Sequence, residues 1–145
     1  MTPFATVKKA MLEALRGAGI WGDQVYGDFI PASAGARPHV LVYFVNGISP
    51  KQRLMGDALL SVGVKCISED DEATAVAGAD QILALIDDQG KQDGGTILGD
   101  STWEVQTITQ DEFVHEVEQY SSEDAVDTIL YHEGFTFVVR MEKLA

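Results

Sequence analysis

A single cysteine, ten basic residues against twenty-three acidic ones, and no apolar run longer than "VLVYFV" (40–45) mark what this 145-residue chain has little of. Each scarcity excludes something. Cys66, alone, cannot build an intrachain disulfide framework or a CxxC metal or redox motif. The apolar run falls far short of the roughly 20 residues that cross a bilayer as a helix, so no membrane is expected. No basic segment leads into an apolar one at the start, so no signal peptide is expected, and the chain reads as soluble and intracellularly made. The net charge of −13 argues against a nucleic-acid-binding surface, because neutralising phosphates requires Lys and Arg. GxSxG, GxxxxGK[ST] and HExxH are absent as well.

What is present suits an ordinary folded domain spanning 1–145. Apolar residues make up 46% and charged residues 23%, close to globular averages. A chain of this length buries roughly 68–70% of its unfolded surface, enough for a core without staples. The charge is lopsided. Residues 1–66 carry seven Lys/Arg against four Asp/Glu (+3), and residues 67–145 carry three against nineteen (−16). Such a field is a solvated acidic face, or it serves to repel an anion or to mate with a basic partner.

Periodicity predicts the elements. "PFATVKKAMLEALRGAG" is helical, with Phe4, Val7, Met11, Leu12 and Leu15 on one face, Thr2 and Pro3 at the start, and Gly17 and Gly19 at the stop. A Gly- and Pro-rich connection follows, with a short strand at Gln24–Tyr26. "HVLVYFVN" is a strand apolar enough to be covered on both faces. After the loop 47–57, "ALLSVGVKCISE" alternates, with Leu60, Val62, Val64 and Cys66 on one face. A second helix follows, capped by Ser68 or Asp70 and buried along Val76, Ala79, Ile82, Leu83 and Ile86. Its small residues, Gly78 among them, let it lie close on a sheet. "WEVQTIT" and "EFVHEVEQY" read as strands, "SSEDAVD" as a turn, and "ILYHEGFTFVVRME" as a hairpin turning at His132–Gly134. The fold class is therefore α+β: a mixed, mainly antiparallel sheet with two helices packed against it.

The chemistry is thin. His115 and Glu116 point to opposite faces of a strand and cannot jointly hold a metal. His132 paired across from His115 would make a two-histidine site at best, where zinc needs three or four ligands. "DDQGKQDGG" (87–95) lacks the calcium-loop pattern. No catalytic residue, metal or cofactor is expected.

The succession of an amphipathic helix, "VYGDFIP…RPHVLVYF", "LLSVGVKCISEDDEATAVAGADQILALID" and the closing "ILYHEGFTFVVRME" resembles the tail-completion and tail-terminator proteins of long-tailed bacteriophages. The resemblance runs over nearly the whole chain and is weakest at 89–127. It implies a non-enzymatic virion protein that forms a six-membered ring at the head-proximal end of the tail, after assembly in the host cytoplasm. Its partners would be further copies of itself, the tail tube protein and a head-tail connector or neck protein. DNA would pass through without specific binding. On that footing Glu104, Asp111, Glu112, Glu116, Glu118, Glu123 and Asp124 are candidates for an acidic lumen, and Lys51, Arg53, Leu54 and Met55 for a partner-contact loop. The alternatives are a neck adaptor or other non-enzymatic binding module and, more remotely, a small enzyme built on the histidines and acids.

Overall fold

Seven elements follow one another in the computed structural model, which describes residues 2–48, 57–89, 100, 102–122 and 125–144. They are α1 (Pro3–Gly17), β1 (Val25–Gly27), β2 (His39–Ile48), β3 (Asp57–Glu69), α2 (Glu72–Gln89), β4 (Trp103–Ser122) and β5 (Ala125–Lys143). The strands form one sheet in the order β1-β2-β3-β5-β4, parallel at β1–β2 and antiparallel elsewhere. This is the expected α+β architecture.

Local chemistry explains both helices. The Thr2 hydroxyl accepts from the Ala5 amide at 3.2 Å, and proline opens the first turn of α1, where its missing N–H costs nothing. Val7, Met11 and Leu15 are fully buried on the inner face. At the far end the Arg16 guanidinium donates twice to the Val25 carbonyl, at 2.8 and 3.2 Å, tying α1 to β1. The cap of α2 is Asp71, not Ser68 or Asp70: its carboxylate accepts from the Thr74 amide (3.2 Å) and hydroxyl (2.6 Å). Asp70 instead takes a left-handed conformation (φ 55°) and exchanges hydrogen bonds with the Ile129 backbone of β5. The buried stripe of α2 is Ala75, Ala79, Ile82 and Ile86. Val76 is exposed, because the packed face is centred on Ala75 and Gly78 rather than on the bulkier neighbour.

Both helices cover the same side of the sheet. Strand alternation sends Val40 and Val42, Leu60, Val62, Val64 and Cys66, and Phe135, Phe137, Val139 and Met141 to that side, where they join the helix stripes in one core. The helix lies close: a Cβ at Gly78 would fall 2.4 Å from Cys66 Sγ. The reading of β2 as covered on both faces is thereby corrected. Leu41 and Tyr43 are only half-buried on the helix-free side, and Phe44 and Val45 are exposed.

The largest correction concerns the C-terminal hairpin. His132–Gly134 is not a turn but the middle of the 19-residue β5, and β4 is one 20-residue strand rather than two. The β4–β5 pairing runs out to Ser122 opposite Ala125, within the segment read as an acidic turn. β4 accommodates its length by register shifts, one of which sets Asp111 and Glu112 off the ladder between Gln110 and Phe113.

Candidate functional site

Register decides which titratable groups meet. His115 lies opposite Glu133 and Glu116 opposite His132, so the two histidines sit on opposite faces of the sheet. The cross-strand His115–His132 pairing that the sequence left open does not form. On the helix side, His115 Nδ1 contacts Glu133 Oε1, and this hydrogen bond raises the histidine's pKa. Glu72 from α2 completes that group.

The other face is more constrained. Leu130, His132 and Ile67 are each about 95% buried there, although neither α1 nor α2 lies on that side. Part of the cover comes from the segment before β2, since Ile30 and Arg37 line a concavity of about 260 Å³ together with Lys65, Glu118, Tyr120 and His132. His132 Nε2 touches Glu118 Oε1, but out of line for a hydrogen bond, and Nδ1 has no protein partner among the described residues. A buried polar atom left unpaired costs about 1–3 kcal/mol. Burial, with Lys65 adding to it, holds the His132 pKa below its ordinary value against the pull of Glu118 and Glu116. That shift favours the neutral ring over the imidazolium. Glu118 is itself oriented: the Tyr120 hydroxyl donates to Oε2 at 2.6 Å and, ahead of all other influences, keeps the carboxyl below its usual range. Lys65 Nζ stands 3.9 Å from Glu116 Oε1 and 5.1 Å from the centroid of the Tyr43 ring. That ring in turn covers Gly63, where a Cβ would fall 2.2 Å from it.

The acids named from charge density fall into place on this geometry. Glu104 lies opposite Glu142, Glu116 opposite His132 and Glu118 opposite Leu130, all by register on the helix-free face. Asp111 and Glu112 border a second concavity of about 200 Å³ with Ser61, Thr136 and Val138 on that face, and the Glu112 amide donates to the Thr136 hydroxyl at 3.0 Å. All five belong to β4, an edge strand with no partner on its outer side among the described residues. Glu123 and Asp124, and the contact-loop residues Lys51, Arg53, Leu54 and Met55, lie outside the described residues.

Sequence reasoning missed the Glu116–Glu118–His132 grouping. The i, i+2 spacing of the two glutamates was a visible signal, but the partner strand's register was not. It also passed over Gly17-Ala18-Gly19-Ile20-Trp21-Gly22, which has GxGxxG spacing. That string leaves a helix and leads toward β1, the reverse of the strand-to-helix order a dinucleotide loop requires, and Gly19 and Gly22 simply take positive φ. No protein-family model matches the chain, and no curated protein matches its sequence.

Proposed function

We propose that this protein is a structural component of a long-tailed phage: a homohexameric ring that caps the head-proximal end of the tail tube, ends tube polymerisation and offers the surface that joins the head. The observation that carries the reading is β4. An edge of 20 residues is several times the usual strand length of about 5–6, and it exposes Phe113 (80%), Val117 (55%) and Tyr120 (54%). Large apolar side chains exposed along an edge strand are a liability in a monomer, and a neighbouring subunit is their natural cover. The five acids of β4 run along the helix-free face, where a ring could turn them toward its lumen and let DNA slide past without adhering. The opposite signs of the two chain halves favour head-to-tail contacts between unlike surfaces, the geometry that closes rings. The role needs no catalytic residue; tail tube protein and a connector or neck protein are the partners.

The test is mass by light scattering over a concentration series, with and without magnesium to screen the carboxylates, with negative-stain imaging of the same samples and tube assembly in the presence of tail tube protein. Closed rings and shortened, capped tubes are expected. Phe113→Glu should abolish both while leaving the monomer's unfolding midpoint unchanged. A chain that stays monomeric alone and beside tube protein, and leaves tube length unaltered, refutes the proposal.

A further inference from the structure

We infer that Glu116, Glu118 and His132 form a binding site for a first-row divalent cation, best matched by zinc, on the helix-free face of the sheet. β4 presents the two glutamates two residues apart, so both carboxylates leave the same face, and β5 sets His132 directly opposite Glu116. One ligand atom from each residue lies within 4.8 Å of the other two. Zinc bonds of about 2.0–2.2 Å place tetrahedral ligand atoms roughly 3.4 Å apart. Seating an ion there parts Glu118 Oε1 from His132 Nε2 and turns Glu116, whose side chain is 55% exposed, away from Lys65 toward them.

The independent sign of a ligand is the histidine. His132 is 5% exposed, faces the concavity it shares with Glu118 and, apart from the contact of Nε2 with Glu118, has no protein partner at its ring nitrogens among the described residues. Buried polar groups in folded proteins are nearly always partnered, and an imidazole nitrogen held against two carboxylates is partnered best by a metal ion. The support around the ligands fits as well. Tyr120 occupies Glu118 Oε2 and leaves Oε1 beside His132, the kind of outer hydrogen bond that orients metal-bound carboxylates. Imidazole among the ligands favours zinc, copper, nickel or iron over magnesium or calcium. Three protein ligands leave a fourth position for water.

Lys65 is the group that would compete. Its ammonium lies at the far limit of an ion pair with Glu116 and keeps its seat over the Tyr43 ring when that carboxylate turns to a metal. Arg37, the other cation at the concavity, is held by Glu69 at 3.3 Å. The grouping of Glu72, His115 and Glu133 on the opposite face offers no such sign: His115 is 58% exposed and already bound to Glu133. It serves as the internal control.

The intact chain would be titrated with zinc by calorimetry and with cobalt by visible absorption, with thermal unfolding followed in parallel. One ion per chain, a ligand-field spectrum showing nitrogen coordination and a raised melting temperature are expected. Loss of an outer-shell partner alone weakens metal sites by about 10–100-fold, so Glu118→Gln and His132→Gln should each weaken binding at least that much, and His115→Ala should leave it unchanged. Glu116→Gln alters an exposed side chain and keeps the test decisive if His132→Gln fails to fold. Absence of zinc binding, binding that survives both glutamate substitutions, or binding abolished by His115→Ala overturns the assignment.

Discussion

Gly134 stands at the centre of β5, opposite Lys65 of β3 and Val114 of β4. A Cβ at this position would lie 2.1 Å from the Val64 carbonyl oxygen, 2.6 Å from Lys65 Cα and 2.8 Å from Lys65 Cβ. Two of those three atoms are backbone, so the clash cannot be relieved by turning a side chain. Gly134→Ala must separate β3 from β5 where the sheet is paired on both sides. Overpacking ordinarily costs about 1–3 kcal/mol, and because the strain falls on ladder hydrogen bonds the upper end, about 3 kcal/mol, is expected. For a chain of this size each kcal/mol moves the melting temperature by about 2–4 °C, so a fall of about 6–12 °C follows. Urea unfolding followed by circular dichroism should show a lower midpoint with an unchanged slope, the signature of lost stability rather than of an altered unfolded state. Gly17→Ala is the matched control. It closes α1, has nothing within 4 Å of a new Cβ and has no positive φ, so it should stabilise by about 0.5–1 kcal/mol. A Gly134→Ala protein within about 0.5 kcal/mol of wild type would refute the close approach, and with it the placement of Gly134 inside a strand rather than at a turn.

Cys66 is fully buried under α2, and burial pushes its thiol up to about 11. At pH 8 only about one thiol in a thousand is ionised, so a disulfide reagent should label the native protein only as fast as it opens, and the denatured protein at once; rapid native labelling would contradict the packing. Asp100 joins the start of α1 to the start of β4. It accepts from the Thr6 hydroxyl (2.7 Å) and from the Thr102 (2.7 Å) and Trp103 (2.9 Å) amides, and these donors, Thr6 foremost, hold its carboxyl below the ordinary 3.8. A depressed folded pKa stabilises the protein above pH 3.8 and stops doing so as pH falls through the folded value. Wild type should therefore exceed Asp100→Asn in stability at pH 7 and converge with it under acid, measured by tryptophan fluorescence on denaturation. A gap that stays constant into strong acid would exclude the linkage.

Much of the fold was readable because its signals are local. Val7, Met11 and Leu15 recur at helical spacing and Leu60, Val62, Val64 and Cys66 at strand spacing, and all seven are buried as expected. The errors share a cause. Gly134 carries the mark of a turn residue, yet here glycine answers the close approach of a neighbouring strand, which no local pattern encodes. Val76 fits the helical stripe, but the depth of α2 on the sheet was set by Gly78 against Cys66, a contact between separate elements. The two halves of β4 look like separate strands because a register shift interrupts their alternation at Asp111 and Glu112.

The two helices, the inward set of apolar side chains, the acidic bias of the second half and the burial of Cys66 each follow from spacing along one segment or from simple composition. Pairing between distant strands is what sets β5 between β3 and β4, leaves β4 as the long edge among the described strands and brings His132 to Glu116 and Glu118 instead of His115. Strand order and register arise from pairings between distant residues. A shift of one residue moves every side chain to the other face, so the grouping of charged residues on this sheet exists only once those pairings are made.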